Sequence, residues 1–359
     1  MRVVIAPDSF GGTLTPVQAA EAIRDGWLVA RPSDEVVLRP MSDGGEGLLD
    51  VIAHAVPQAR RVEVEVVGPL GLPVHAGFLV LADGTAVIES AQACGLHLVP
   101  VDRRNPLRTT TWGVGQLLAA AADGGATRVV VGLGGSATVD GGAGALCGLG
   151  ARLVVDDGSG LKVGAEDLPR VAGVSVGWAD PAVTELSEVV LLADVDTTIL
   201  DAPARFGPQK GADAEAVRHL EAGLRAWIDV VARDLPGGPD PSAPGTGAAG
   251  GLGFGLAAWT GGAIVAGAAH VARQIGLPDA VRDADIVVTG EGRVDATSLQ
   301  GKVVGEVVAL ATRAGARSVV VAGQLVGDLD GVDLVLAPAD ERGAVAPVVA
   351  AVVALARGL

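Results

Sequence analysis

Acids, glycines and a few cations gather in four short segments, each following an apolar β-branched run and preceding a helical stretch. In open parallel sheets, ligands bind in the loops at the carboxyl ends of strands, so chemistry is expected in these four. The first is Asp8-Ser9-Phe10-Gly11-Gly12-Thr13-Leu14-Thr15. Thr15 and Pro16 read as the N-cap and first-turn pair of a helix running through Trp27, whereas Asp8 and Ser9 close the strand where a small ligand would lie. In the second, Met41-Ser42-Asp43-Gly44-Gly45-Glu46-Gly47, two readings stand side by side. Asp43 with Glu46 can be a capping box, or Gly44 and Gly45 can admit a ligand while the carboxylates hold a hard cation. The third, Gly132-Leu133-Gly134-Gly135-Ser136-Ala137-Thr138-Val139-Asp140-Gly141-Gly142, follows a strong strand and opens a helix. Successive backbone N–H groups and the helix dipole could cradle a phosphate there without lysine; glycines chosen for tight helix–sheet packing are the competing reading. The fourth, Thr289-Gly290-Glu291-Gly292-Arg293-Val294-Asp295 with Ser298 and Gly301-Lys302 downstream, alternates acid and base at a strand end. That pattern suits a site whose charged members orient one another, and equally a surface cluster contributing little.

Two further segments carry charge. Asp194-Val195-Asp196 closes an apolar strand and is expected to set both carboxylates on one side of an extended chain, one as general base and the other for a metal or hydroxyl. Phe206-Gly207-Pro208-Gln209-Lys210-Gly211 puts a lysine in a tight turn. The only lysines are Lys162, Lys210 and Lys302, so Lys210 in a motif reads as anion capture. Gly245-Thr246-Gly247-Ala248-Ala249-Gly250 matches GxGxxG but follows a proline-rich loop instead of a strand, which excludes a dinucleotide fingerprint. Cys94 and Cys147 are isolated, the five histidines lack ligand spacing, and no Walker A, GxSxG, HExxH or protein-kinase signature occurs. A reduced compartment is the expectation.

The elements that must position these residues follow from the apolar runs. Val3–Ala6, Val36–Arg39, Arg128–Leu133, Glu188–Ala193, Ile286–Thr289, Ser318–Ala322 and Leu334–Leu336 are continuous enough to be strands buried on both faces of parallel sheets. Between residues 61 and 90 the texture becomes alternating, with an Asp83-Gly84 turn, which predicts a small antiparallel meander belonging to a different domain. Residues 233–251 read as a Pro/Gly-rich surface loop. Strand–helix alternation at both ends predicts a discontinuous domain of residues 1–62 and 283–359, interrupted by an inserted mixed α/β domain of residues 63–282.

The chain has 359 residues, 49% of them hydrophobic and 19% charged, with a net charge of −16. Disorder is excluded by the apolar fraction, and nucleic acid and anionic membrane are unsuited partners by the charge. No apolar run reaches the ~18–20 residues of a membrane span. The stretch Ala344–Ala356 contains Pro347 and ends before Arg357, at the length of a core helix. The first residues enter a strand without the regions of a signal peptide, so a soluble cytoplasmic protein is expected.

Taken together the segments resemble the bacterial glycerate kinase family, the two-domain type unrelated to protein kinases. The resemblance rests on Ile5-Ala6-Pro7-Asp8-Ser9-Phe10, Asp43-Gly44-Gly45-Glu46-Gly47, Arg104-Asn105-Pro106-Leu107, Gly134–Thr138 with Asp140-Gly141-Gly142, Asp194-Val195-Asp196, Phe206–Gly211, Gly247–Gly251, and Gly290–Arg293 with Asp295. It implies a flavodoxin/Rossmann-like parallel-sheet domain formed by both termini, an inserted mixed α/β domain, a ligand cleft between them, and ATP-dependent phosphorylation of D-glycerate, in this branch to 2-phosphoglycerate. The same resemblance implies ATP and Mg²⁺ as cofactors and allows a homodimer. The roles carried over are Asp194 as general base, with Lys210 and Arg293 neutralising the migrating phosphoryl group. Asp8, Ser9, Arg104, Asn105, Glu291 and Asp295 serve glycerate; Gly44, Gly45, Gly134, Gly135, Ser136 and Asp140 serve the nucleotide phosphates; Asp43 and Asp196 serve the metal. Three positions depart from the family pattern: Gly11 stands where lysine is usual, Val139 where asparagine is usual, and Thr197-Thr198 where Asn-Pro is common. Gly11 keeps two alternatives open, a nucleotide- or metabolite-binding homologue with impaired catalysis and a kinase for another small hydroxy acid.

Overall fold

A computed structural model describes residues 1–177, 181–299, 302–326, 333–336 and 345–358. Gly301 of the fourth segment and Ala344 lie outside the described residues. Thirteen strands are formed among the described residues. β1 is Arg2–Ile5, β2 Glu35–Leu38, β3 Arg60–Val67, β4 Pro73–Val80, β5 Thr85–Glu89, β6 Arg128–Gly132 and β7 Arg152–Val155. β8 is Val171–Ser175, β9 Glu188–Ala193, β10 Ala263–Ala266, β11 Ile286–Asp295, β12 Arg317–Val326 and β13 Asp333–Leu336. The chain divides into two compact units, Met1–Asp43 with Gly47–Pro57 and Ala266–Leu359, and Gly44–Glu46 with Gln58–Val265.

In the first unit an all-parallel sheet runs in the order β13-β12-β11-β1-β2. Alternate residues of its apolar runs face opposite sides, as a pleated strand requires. Val3, Ile5, Val319 and Val321 join one buried cluster with Ile23 and Trp27 of the helix Pro16–Ala30 and Val348 and Val352 of the helix Val345–Gly358. Val320, Ala322 and Val294 enter another with Val304 of the helix Val303–Ala314. The first helix starts with a complete capping box, Thr15 to the Gln18 N–H and Gln18 back to the Thr15 N–H. β1 ends at Ile5, yet β11 stays paired with β12 as far as Asp295↔Val326. The fourth segment is therefore strand, where the sequence suggested a loop, because hydrogen bonds from a neighbour distant in sequence satisfy its backbone.

The second unit holds a six-stranded mixed sheet, β10-β9-β6-β5-β4-β3. β3, β4 and β5 are antiparallel, and their turn at Asp83-Gly84 has the Thr85 N–H on the Asp83 carboxylate. β5, β6 and β9 are parallel, so the antiparallel meander and the parallel strands form one sheet through Glu89↔Gly132. A two-stranded sheet, β7-β8, had no counterpart among the strands expected from sequence. Leu153, Val171 and Val174 of that sheet are buried with Leu220, Leu224 and Trp227 of the long helix Ala214–Asp234.

The segment that matched GxGxxG leads into the helix Ala248–Thr260 through a left-handed turn, with Ala249, Gly250 and Gly251 at φ of 53°, 69° and 90°. Contact with the Gly134–Gly142 loop demands it: a Cβ on Gly250 would stand 2.0 Å from the Thr138 carbonyl, and the Gly141 N–H donates to the Gly250 carbonyl at 3.0 Å. Ala249 is the one non-glycine residue with positive φ among the described residues. A side chain in that region is strained by roughly 1 kcal/mol, so Ala249→Gly is expected to raise unfolding stability by up to that amount, read as a higher urea midpoint at unchanged slope.

Candidate functional site

The residues singled out from sequence fall into two groups, one in each unit. In the second unit, three parallel strands bring Glu89, Gly132 and Leu192 side by side at their carboxyl edge. Beyond β6 the chain enters the glycine loop, whose path is held at nearly every residue. The Leu133 N–H donates to the Leu192 carbonyl and the Gly134 N–H to that of Gly44, while the Gly135 carbonyl accepts from Leu96 and the Ala137 N–H donates to Cys94. Gly134 lies so close to Gly45 that a Cβ would come 2.4 Å from its Cα, and a Cβ on Gly144 would meet the Thr110 hydroxyl at 2.2 Å. Packing therefore accounts for these two glycines. A Cβ on Gly135 would meet that of Ala91 at a tight 3.3 Å, and the residue adopts φ of 74°, the conformation that lets the chain turn at the strand end.

Asp140 closes the loop from within. It is 1% exposed and accepts from the Thr111 N–H and hydroxyl and from the Gly142 and Gly144 N–H groups. Burial raises its pKa, and those bonds oppose the rise. Thr111 and Gly142 are the N-caps of the helices Trp112–Asp123 and Ala143–Gly148, so one carboxylate serves two helix starts.

Lys210 approaches the loop from the protein interior. It is 3% exposed, and its ammonium donates to the Ser136 hydroxyl at 2.9 Å and the Thr138 carbonyl at 2.8 Å. Burial lowers its pKa to about 8, against the opposing pull of Cys94 and Asp140. The turn that carries it, Pro208–Lys210, ends at Gly211, where a Cβ would lie 2.2 Å from the Arg104 carbonyl. Arg104 and Asn105 thereby line a pocket of about 280 Å³ with Leu107, Asp213 and His219. The Arg104 Nε is buried without a hydrogen-bond partner, and the Asn105 carbonyl oxygen of the side chain accepts from the Leu107 N–H. Asp213 caps the following helix through the Ala216 N–H.

Asp194 lies one residue past β9, half-buried, and Asp196 is exposed. The chain bends at Asp194, so the pair does not continue the strand as expected. Gly44 presses on Leu192, where a Cβ would approach its Cβ at 2.7 Å. The helix after the second segment, Leu48–Ala55, is capped by Gly47 without any side-chain bond, so Asp43 and Glu46 form no capping box. Glu89, 2% exposed at the same strand edge, was missed in the sequence. Its signal is a single acid closing the run Ala86-Val87-Ile88, as Asp8 and Asp194 close theirs.

In the first unit, the Asp8 N–H donates to the Gly290 carbonyl, the Ser9 N–H to the Asp8 carboxylate at 2.6 Å, and the Gly292 N–H to the Ser9 carbonyl. Glu291 is half-buried, with Oε1 enclosed and lacking a hydrogen-bond partner. Burial raises its pKa, Asp295 and Asp43 adding to the rise, while a hydrogen bond with Ser298 and the charge of Lys302 oppose it. Asp295 accepts from the Thr297 N–H and hydroxyl, which lower its pKa. Arg293 is exposed. At the tip of the first segment, Gly11 has φ of 48° and no atom within 4 Å of where its Cβ would be. Among the described residues no group of three His, Cys, Asp or Glu side chains could hold a metal, and no helix is long and apolar enough to cross a membrane.

Residues 3–339 match the glycerate kinase family. A glycerate kinase of Bacillus subtilis (strain 168) is 40% identical over 306 residues, which span 84% of this chain and 79% of the relative. A glycerate 2-kinase of Escherichia coli (strain K12) is 37% identical over 309 residues, spanning 84% and 80%. The crystal structure of a Salmonella typhimurium LT2 protein assigned as glycerate kinase 2 superposes with a TM-score of 0.85 at 36% identity, covering 100% of this chain and 96% of that one. With sequence and fold alike over nearly the whole length, the chain belongs to the glycerate kinase family.

Proposed function

We propose that this chain transfers the γ-phosphoryl group of ATP to the 2-hydroxyl of D-glycerate. The observation that carries the reading is the near end-to-end likeness to proteins named glycerate kinase, one of them named glycerate 2-kinase. Phosphoryl transfer asks a protein for positioning and charge more than for covalent chemistry. In the second unit, the Gly134–Ser136 backbone receives phosphate oxygens and Arg104 pairs with the glycerate carboxylate. The buried, unpartnered Nε of Arg104 beside a pocket of about 280 Å³ supports that pairing. Asp194 accepts the hydroxyl proton as the glycerate oxygen bonds to the γ-phosphorus and the bond to the ADP oxygen breaks. Arg293 is assigned the charge of the migrating group.

Mg²⁺ fits as an ion that arrives on the nucleotide, because it is usually held by one or two carboxylates together with phosphates and waters. Asp196 in the second unit and Asp43 in the first are the carboxylates proposed for it, each within its own unit, and its chemistry would be to neutralise the phosphate oxygens.

Purified protein with Mg-ATP and a panel of hydroxy acids tests the reading. D-Glycerate is expected to release ADP fastest, and ³¹P NMR to show a phosphate coupled to a single proton, as on C2; coupling to a methylene would move the product to the 3-position. A faster rival acid would instead make this a kinase for another substrate. Asp194→Asn is expected to cut kcat by about 10²–10⁴-fold with an unchanged thermal midpoint, the range typical of a lost general base. Gly11→Lys places a cation in open space at a strain of roughly 1 kcal/mol, and is expected to raise kcat at least tenfold if the loop lacks charge for the transfer. Nucleotide binding by calorimetry with no acceptor turned over would favour the binding homologue.

A further inference from the structure

We propose that Lys210 is a positioning residue which, seated behind the Gly134–Asp140 loop, holds Ser136 and Thr138 in the shape that receives phosphates, so that the charge on its ammonium is coupled to nucleotide binding. This deepens the kinase reading and rests on its assignment of the loop to the nucleotide.

Three observations carry it. The side chain is 3% exposed, enclosed together with Ser136 at 5% and Thr138 at 0%, so the ammonium acts within the loop's own packing. Two of the three N–H donors of an ammonium end on loop atoms two residues apart, Ser136 Oγ at 2.9 Å and Thr138 O at 2.8 Å, which fixes the intervening peptide. The stem is also held: Lys210 lies over the Phe206 ring at 5.8 Å, its N–H donates to the Gly207 carbonyl, and Gly211 after it is wedged against Arg104. A rigid turn thus delivers the cation, and the same turn braces the Arg104 pocket.

The cost of burying a charge against neutral acceptors is large, which makes such a group informative about function. The charged and titratable groups facing the ammonium are Asp140, whose carboxylate is already shared among Thr111, Gly142 and Gly144, and Cys94, whose thiol is pushed up to about 12 by burial. Neither leaves the ammonium with a dedicated counter-ion. Phosphate oxygens on the far side of the loop would add negative charge nearby and favour the protonated amine, and by reciprocity the protonated amine would favour the phosphates.

Only three lysines occur in the chain, so lysine labelled with ¹³C at Cε in the full-length protein reports each separately, and Lys210→Met assigns the signal. The Lys210 signal is expected to titrate near 8. Saturation with a Mg-bound, non-hydrolysable ATP analogue is expected to move that midpoint up by about 1 pH unit, the shift of a tenfold preference for the charged form. Kinetically, Lys210→Met is expected to raise KM for ATP by about 10–100-fold while kcat falls by no more than about tenfold, as for a misplaced loop. Ser136→Ala, which leaves the lysine in place, is expected to give a smaller rise in the same constant and serves if Lys210→Met does not fold. A midpoint indifferent to the analogue overturns the coupling. A fall in kcat of about 10³-fold or more at unchanged KM for ATP overturns the positioning role and makes Lys210 a direct phosphate contact. Should wild-type protein move its Lys210 midpoint with the analogue but phosphorylate no hydroxy acid, the kinase reading fails while the clamp stands; turnover of glycerate with an unmoved midpoint is the reverse.

Discussion

A carboxylate sealed from water must find its donors inside the protein, and the way Asp140 finds them governs the loop that follows β6. Two donors come from Thr111 and two from Gly142 and Gly144, at the starts of two different helices. Those helix starts carry unpaired N–H groups and the positive ends of their dipoles, so one buried anion satisfies both. Removing the anion would leave four donors facing one another. The helices Trp112–Asp123 and Ala143–Gly148 are thereby brought to a common point, and the loop between β6 and the second helix has little freedom left. Lys210 completes the arrangement with a positive charge on the other side of Ser136 and Thr138.

Internal charge of this kind is compatible with anionic ligands on an acidic chain. A net charge of −16 sets the long-range field against them, but that field is screened within roughly 8–10 Å at physiological salt. At contact distance the outcome depends on local groups. Under the proposed function those are backbone amides of the Gly134–Ser136 loop, the lysine bonded to it and Arg104 of the same unit. The basic surface that nucleic-acid partners demand is unnecessary for a small ligand enclosed by such groups.

How far the chain could be read without a structure varies by element and has physical reasons. Continuous runs such as Val129-Val130-Val131 and Val287-Val288 announced buried parallel strands because both faces of those strands are covered. Thr15 announced an N-cap, which is present and which Gln18 completes as a capping box, whereas Asp43 and Glu46 have the spacing of such a box and form none, since Gly47 starts that helix instead. The difference lies in the path of the chain before the helix, which local spacing does not encode. β11 runs through Asp295 because β12 pairs with it, and β7-β8 exists because the helix Ala214–Asp234 covers it. The site segments were visible as glycine and acid concentrations, but the division among them was not. Gly134 and Gly144 are required by packing, Asp140 by its four donors, and Glu89 lay unnoticed at the same strand edge.

Sequence alone determined the α/β class and the parallel strands, because these follow from residue type and short-range periodicity. It also determined the family, through motifs in register along the chain. Tertiary structure alone decided what each residue does in its segment. In local sequence Lys210 reads as a cation in a tight turn suited to anion capture; that its ammonium is buried follows from Ser136 and Thr138, 74 and 72 positions away, which supply its acceptors. Burial and hydrogen-bond partnership arise between distant parts of a chain, so they are settled only when those parts meet.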